Sequence, residues 1–320
     1  MDSKHDTRER RLGMFFVAAA AILFASKGLF SKALYQRGVG FELLVAVRAV
    51  LAMPLFAWFA FRANKPAAGI GEGAHARREM SGRAVFAAAA AGIICYYVGA
   101  LLDFWALTLI DASIERVLLF SYPALVVTIS SFMSRRAPDA KLVLAMLVTY
   151  AGIFFVMGGI DLHELRQNLF GAGLVLIAAL TTAIYFLIGE RYTRELGSTR
   201  FAAIGMSASA VVLAIHFALF RSFDEFHALR AHDWMLLVVL SVACMFLPGL
   251  MQAEGVRRVG AQRAAIGSTV GPPTTILLAA LFLDERLNAW QLLGTAMIVG
   301  SVLALSLGKR QEVTEAVARE

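Results

Sequence analysis

Apolar residues dominate long continuous stretches of the chain, and polar residues collect in short runs between them. Each stretch is about 20 residues long, the length an α-helix needs to cross a hydrocarbon core of roughly 30 Å. The pattern therefore predicts an all-α integral membrane protein with ten transmembrane helices. The predicted spans are residues 12–34, 41–61, 84–109, 113–133, 141–159, 169–189, 201–220, 234–253, 262–283 and 289–307.

The composition excludes several other classes of protein. Of the 320 residues, 59% are hydrophobic and 17% are charged, whereas a soluble domain has about 25% charged residues. A soluble globule is thus excluded, and so is a disordered chain, which combines low hydrophobicity with high net charge. The net charge is +7, but the basic residues fall in short loops and not on one folded face. We therefore expect no nucleic-acid partner.

The distribution of Lys and Arg over the loops predicts an orientation. In alternate loops counted from the N-terminus, 21 of these cations fall on one side and five on the other. Because cytoplasmic loops carry the excess of positive charge, both termini are predicted to be cytoplasmic. The protein itself is predicted to lie in the cell (inner) membrane. The predicted parts are a cytoplasmic N-tail (1–11), a first five-helix repeat (12–159), an extracytoplasmic connecting loop (160–168), a second five-helix repeat (169–307) and a cytoplasmic C-tail (308–320).

The two halves resemble each other internally. A shift of 149 residues aligns 86–153 with 235–302 without gaps, and a shift of 158 residues aligns 13–23 with 171–181. The 149-residue register superposes Cys95 on Cys244, Pro123 on Pro272, and Arg135-Arg136 on Asp284-Glu285. Because five spans are an odd number, the second copy would enter the membrane upside down. This inverted repeat is the plan of many secondary transporters.

Each half ends with a proline-containing span, a short polar stretch and a further apolar span. The second half reads GPPTTILLAALFLDERLNAWQLLGTAMIVGS from Gly271, including Glu285 and Gly294, and the first reads SYPALVVTISSFMSRR around Pro123. These segments resemble the drug/metabolite transporter superfamily, in particular its EamA-type members, and the resemblance covers essentially the whole chain. It implies ten helices around a central cavity and export of amino acids or other small metabolites. Arg136 stands where the family usually has glutamate.

Five charged residues fall within the predicted spans, namely Lys27, Arg48, Asp103, Glu115 and Arg116. A charge near the bilayer centre costs about 2.5–3.5 kcal/mol on insertion scales, so each should be paired, hydrated or functional. All five lie in the predicted outer half of the membrane and in the first repeat. We predict that they form an internal network that binds substrate, with Lys27 and Arg48 holding a negative group. The alternatives are snorkelling of Lys27 and helix-dipole complementarity of Glu115.

The repeat register also predicts polar groups at the inner end of the cavity. Lys27 maps onto Tyr185, and Asp103 maps onto Gln252. Inverted symmetry would place these mates on the same cavity at the opposite depth. We therefore predict that Tyr185 and Gln252 also contact substrate.

Two prolines are predicted to break helices. Pro123 and Pro272 lie near the centres of their predicted spans, where proline removes an intrahelical hydrogen bond. Free backbone groups are acceptable in a membrane only where protein or a wet cavity satisfies them. We therefore expect both breaks to face inward and to serve in gating, with Thr274 and Thr275 supplying hydrogen bonds.

These features favour a secondary transporter that exports small metabolites, such as amino acids or other small organic anions or zwitterions, by alternating access. The alternatives are efflux of cationic lipophilic compounds by proton exchange and an integral-membrane enzyme acting on lipids. The sequence has no GxxxxGK[ST], GxSxG or HExxH motif, so we predict no catalytic residue, cofactor or metal. The expected partners are a small-molecule substrate and membrane lipids, and a homodimer is compatible with the sequence.

Overall fold

A computed structural model describes residues 2–62, 81–133, 140–156, 162–259, 268, 270–285, 287–301 and 304. Every regular element in these ranges is a helix, so the all-α prediction is confirmed for them. Several sequence predictions lie outside the described residues. They concern Arg135 and Arg136, residues 262–267 of the ninth predicted span, and the C-tail 308–320.

The first half contains eight α-helices and one π-helical stretch in its described part. They are α1 (Asp2–Ala25), α2 (Lys27–Gln36), α3 (Phe41–Arg62), α4 (Gly82–Gly92), the π-helix Ile93–Gly99, α5 (Ala100–Ala106), α6 (Ala112–Leu119), α7 (Tyr122–Met133) and α8 (Ala140–Val156). Helices α1 and α2 share one predicted span and are separated by a turn at Ser26. Helices α6 and α7 share another, which is interrupted at residues 120–121.

The described part of the second half is also helical. Its described helices are α9 (Leu162–Leu196), α10 (Ser198–Phe220), α11 (Asp224–His227), α12 (Ala231–Ser241), the π-helix Val242–Phe246, α13 (Leu247–Val259), α14 (Gly271–Phe282) and α15 (289–301). Helix α9 begins inside the predicted connecting loop 160–168, and α1 includes most of the predicted N-tail.

Within the described ranges, six helical stretches are long and apolar enough to cross a membrane, judged by length and composition. They are Arg11–Gln36, Phe41–Phe59, Gly82–Ala106, Arg166–Thr193, Thr199–Phe220 and Ala231–Gln252. Two shorter helices, Leu147–Val156 and Gly271–Phe282, are also apolar. The chain is thus built as a multi-pass membrane protein.

Two irregular features recur at the distance expected from the internal repeat. The π-helical stretches begin at Ile93 and Val242, which are 149 residues apart in the chain. A π-helix inserts one residue into a helical turn and is rare outside functional or strained segments. The same local irregularity therefore occurs at equivalent positions in the two halves.

A close helix crossing also recurs, at positions related by the two registers of the internal repeat. A Cβ atom built on Gly13 would lie 2.5 Å from Val259 Cγ1, and one built on Gly171 would lie 2.5 Å from Ile110 Cγ2. Gly13 and Gly171 are mates in the 158-residue register, while Ile110 and Val259 are mates in the 149-residue register. The crossing of α1 with α13 therefore has a counterpart where α9 meets the segment after α5.

The two halves interlock instead of packing side by side. Helix α1 packs on α13, α3 on α10, and α9 on α4 and α5. In the part of the chain that the structure describes, the largest apolar cluster draws on both halves, with Leu43 and Phe104 from the first and Leu213 and Leu237 from the second. This cluster includes Val47 and Ala49, which flank Arg48 in the chain, and Phe104, which follows Asp103.

Ion pairs also link the halves at the predicted outer end. Arg37 pairs with Asp233, and Arg221 pairs with Glu42. In each pair one partner belongs to the first half and the other to the second. Asp233 also accepts a hydrogen bond from the Arg230 backbone, at 2.9 Å, at the start of α12.

Candidate functional site

The site begins where the first predicted span is interrupted. The Ser26 backbone amide bonds to the carbonyls of Ile22 and Leu23 at 3.3 Å, and its hydroxyl donates to the Leu23 carbonyl at 2.8 Å. This turn ends α1 and makes Lys27 the first residue of α2. The side chain of Lys27 therefore leaves the helix at its N-terminal end, towards α5 and α6.

Lys27 joins two carboxylates from different helices. Its Nζ lies 2.5 Å from Asp103 Oδ2 on α5 and 3.1 Å from Glu115 Oε1 on α6. Lys27 is only 6% exposed, Asp103 7% and Glu115 1%. Charges so deeply buried are tolerated because they are paired, since an isolated buried charge would carry a large desolvation cost.

Arg48 on α3 is the fourth charge of this group. Its guanidinium lies 4.1 Å from the centre of the Phe104 ring, and Lys27 Nζ lies 5.1 Å from the same ring. A cation over an aromatic face is attracted by the ring quadrupole. Phe104 thus stabilises both cations. We call the four residues Lys27, Arg48, Asp103 and Glu115 the charge cluster. This cluster has no net charge when all four side chains are ionised.

Two polar atoms of the charge cluster remain unsatisfied. Arg48 Nε and Asp103 Oδ1 are buried and have no hydrogen-bond partner among the described residues. A buried polar atom without a partner costs about 1–3 kcal/mol. One donor and one acceptor of the charge cluster therefore lack a partner in this conformation.

Glu285 from the second half caps the N-terminus of α6. Its carboxylate accepts hydrogen bonds from the Ala112 backbone amide at 3.0 Å and from Ser113, through the amide at 3.1 Å and the hydroxyl at 2.6 Å. A carboxylate here satisfies the free amides of the first turn and complements the helix dipole. The residue singled out as a family motif thus holds the helix that carries Glu115.

Arg116 is separated from the charge cluster despite its position next to Glu115. Adjacent residues on a helix do not share a face. A Cβ atom built on Gly271 would lie 3.1 Å from Arg116 Nη2, which places the guanidinium beside the start of α14. Glu115 faces Lys27, while Arg116 faces the second half.

Among the described residues, Tyr185 and Gln252 make no hydrogen bond or ion pair with the charge cluster. Tyr185 contacts the Tyr96 ring edge to face at 5.1 Å and packs with Cys95 and Phe201 in a separate apolar cluster. Gln252 is half-buried on α13. The structure therefore brings together four of the predicted substrate-binding residues and leaves Tyr185, Gln252 and Arg116 outside that group.

Both prolines occupy the second position of a helix. Pro123 follows Tyr122 at the start of α7, and Pro272 follows Gly271 at the start of α14. The first turn of a helix tolerates proline because its amide needs no intrahelical partner. At Pro123 the interruption therefore precedes the proline. Thr275 donates a weak bond to the Ala25 carbonyl at 3.3 Å, which ties α14 to the end of α1.

Gly294 permits a close contact between α8 and α15. A Cβ atom at this position would lie 2.5 Å from the Gly152 carbonyl oxygen and 2.8 Å from the Val156 amide nitrogen. Any larger residue would have to push these backbones apart. Small residues at such crossings let membrane helices approach closely.

Sequence reasoning missed Phe104 and the capping role of Glu285. Phe104 is fully buried. It directly follows Asp103, and this position next to a charged residue within a span was the signal that could have identified it. Tyr35 strengthens this position, because its hydroxyl donates to the Phe104 carbonyl at 2.9 Å. Trp105, the next residue, is 37% exposed and stacks on Phe41.

Comparisons with known proteins place the chain in a family. The model of the EamA-like transporter family matches residues 11–158 and 169–307. The uncharacterized transporter YcbK of Bacillus subtilis is 30% identical over 290 residues, which are 90% of each chain. The uncharacterized inner membrane transporter YicL of Salmonella typhimurium is 22% identical over 307 residues, covering 96% of this chain and 99% of its own.

The fold is also shared with a solved structure. A crystal structure superposes with a TM-score of 0.64 at 16% identity and covers 93% of this chain and 98% of its own. The two family matches cover most of both halves, and the resemblance noted from the sequence is thereby confirmed. The chain therefore belongs to the EamA-like transporter family, whose members are membrane transporters and not enzymes.

Proposed function

We propose that this protein is a secondary transporter that exports small metabolites, such as amino acids or other small organic anions or zwitterions, by alternating access. The observation that carries the proposal is the charge cluster with its two unsatisfied atoms. Charges inside a membrane are expensive and mark substrate or ion pathways. Membership in a transporter family agrees with this reading.

The open atoms favour a ligand with both charges. Lys27 is held by two carboxylates, which leaves Arg48 as the cation of the charge cluster most available to an anionic group. A carboxylate of the substrate would accept from Arg48 Nε, while its ammonium would donate to Asp103 Oδ1. In this proposal Arg48 and Asp103 contact the substrate directly, whereas Lys27 and Glu115 lie next to these two residues and do not contact the substrate.

The architecture we propose has ten transmembrane helices in two inverted five-helix repeats around a central cavity. The recurring π-helices and the recurring glycine crossing support it, because both follow the register of the sequence repeat. Both termini would be cytoplasmic, in the inner membrane. Tyr185 and Gln252 would line the inner end of the pathway, and the helix starts at Pro123 and Pro272 would move during gating.

The test is growth of an overexpressing strain on toxic amino-acid analogues, nucleosides and cationic drugs. Arg48→Met keeps much of the side-chain volume and removes the charge, whereas Arg48→Lys keeps the charge and loses the planar guanidinium. We expect Arg48→Met to abolish resistance to zwitterionic analogues. Arg166→Met is the matched control, because Arg166 is exposed and far along the chain from the cluster. Equal resistance profiles for all variants would contradict the proposed site.

A second candidate is efflux of cationic lipophilic compounds by proton exchange. The two carboxylates around one ammonium favour it, because they could bind a cationic substrate or protons in turn. Asp103→Asn should then abolish resistance to cationic drugs, while Arg48→Met should leave it intact. A carrier of simple anions should instead tolerate Asp103→Asn. The pair of variants thus separates the three substrate classes.

A further inference from the structure

Asp103 and Glu115 both form ion pairs with the same lysine, Lys27. We propose that the Asp103–Glu115 pair is a binding site for a single positive charge, and that the Lys27 ammonium is its resident occupant. A proton, a sodium ion or the ammonium of a substrate would replace Lys27 during the transport cycle. The substrate alternative rests on the proposed function, whereas the cation site itself does not.

The first argument is electrostatic. Lys27 Nζ lies within 3.1 Å of both carboxylates, and both are almost completely buried. Two carboxylates that meet in such a place cannot both stay ionised without a cation between them. One positive charge is therefore a requirement of the site, and Lys27 is the group that meets it in this conformation.

The second argument is that a competing cation could bind one oxygen of Asp103 before Lys27 leaves the other. Asp103 Oδ1 is buried and has no hydrogen-bond partner in the described part of the chain, while Oδ2 is bonded to Lys27. An incoming cation could contact Oδ1 before Lys27 leaves Oδ2. The exchange would then proceed without a step in which the carboxylates are uncompensated.

The third argument concerns how Lys27 is attached. It is the first residue of α2 and follows the interruption of the helix at Ser26. Its ammonium stands on a flexible four-carbon stem, next to a place where α1 and α2 are not one continuous helix. Rotation about the bonds of this stem would withdraw the ammonium while the contacts of α2 with α5, such as that of Tyr35 with the Phe104 carbonyl, stay in place.

Other groups around the pair set the background charge. Arg48 acts electrostatically on Asp103 and Arg116 acts on Glu115, and both carboxylates act on the Tyr35 hydroxyl, which donates to the Phe104 carbonyl. The Cys244 thiol, from the second half, forms a hydrogen bond of 3.3 Å with the Ser26 hydroxyl. Substitution of Lys27 removes the resident cation and leaves each of these groups in the sequence.

The experiment measures thermal unfolding of the purified full-length protein in detergent. Sodium chloride is compared with choline chloride at equal ionic strength, and a pH series is run at fixed salt. We expect Lys27→Met to gain a stabilisation on the order of 5 °C with sodium or with falling pH, because a ligand that binds the folded state raises the unfolding temperature. The wild type, Lys27→Arg and the control Lys32→Met should lack this added response. The sodium and pH arms distinguish a metal cation from a proton.

A double variant tests the same idea in the opposite direction. In Lys27→Met/Asp103→Asn the two like charges no longer meet, so the added cation response should disappear. If Lys27→Met alone yields no folded protein, this double variant should restore the yield. The proposal is overturned if Lys27→Met responds to sodium and pH as the wild type does, if the double variant keeps the added response, or if it fails to rescue folding.

The outcome is separable from the proposed function because no transport is measured. If Lys27→Met becomes cation-dependent while the Arg48 variants leave drug and metabolite resistance unchanged, the cation site stands and the substrate site falls. The reverse pattern would remove the cation site and leave the transporter proposal in place.

Discussion

Phe104 shows how much one apolar side chain contributes to a charged site. Its ring is completely buried and faces both Lys27 and Arg48. A cation–π contact contributes about 0.5–1 kcal/mol at exposed sites and about 2 kcal/mol when it is desolvated. The side chain therefore fills the core and also compensates Arg48, whose Nε has no described acceptor.

Replacing Phe104 by Leu should destabilise the protein by about 1–3 kcal/mol, because a buried aromatic ring is lost and a space remains. The measurement is thermal unfolding in detergent, with Phe170→Leu as the control, since Phe170 is 58% exposed. In a double-mutant cycle with Arg48→Met, the two changes should be coupled by about 0.5–2 kcal/mol. Additive effects would show that the ring does not support the guanidinium.

At the scale of elements, the N-terminus of α6 depends on a residue from the other half. Without Glu285, the amides of Ala112 and Ser113 would lose their acceptor. Helix α6 has eight residues, too few to be stable by its own hydrogen bonds. Its position, and with it the position of Glu115, is therefore decided by tertiary contact.

Glu285→Gln should lower stability by about 1–2 kcal/mol, because a neutral amide replaces a charge-assisted acceptor of three bonds. Ser113→Ala should cost less, since both backbone amides keep their acceptor. Asp284→Asn is the matched control, because Asp284 is exposed and has a φ of 55°, which Asn tolerates. Unfolding midpoints of the three variants measure this order, and a neutral Glu285→Gln would contradict the cap.

The paired glycine crossings give an element-scale prediction about symmetry. Gly13→Ala and Gly171→Ala should each destabilise the protein by about 1–3 kcal/mol, because the added Cβ overlaps a neighbouring side chain. Gly173→Ala is the control, since nothing lies within 4 Å of its Cβ position, and it should be neutral or stabilising. Thermal unfolding compares them. A cost confined to one of the two glycines would argue against equivalent crossings.

At the scale of the whole molecule, the orientation of the halves can be tested with introduced cysteines. Ser222→Cys lies in an exposed segment after α10 that is predicted to be outside, and Glu195→Cys is exposed at the end of α9, just before α10 begins. The natural Cys95 and Cys244 are buried and should react little. We expect a membrane-impermeant maleimide to label Ser222→Cys in intact cells and Glu195→Cys only after permeabilisation. The reverse labelling would invert the proposed topology.

Much of the molecule could be predicted from the sequence because the governing signals are local. Apolar runs of about 20 residues predict membrane helices, and Lys27, Asp103 and Glu115 were conspicuous as charges within such runs. The interruptions were harder to place. Pro123 indicated a break, but the break comes before it, at residues 120–121, because proline suits the first turn of the helix that follows.

The sequence by itself determined the class of protein, its family and the identity of the buried charges, since each depends on composition or on spacing along the chain. Only the tertiary structure decided which charges meet. Lys27 reaches Asp103 across 76 residues and Glu115 across 88, and Glu285 reaches Ala112 across 173. Electrostatic energy depends on the distance between atoms in space, which the order of residues along the chain does not specify.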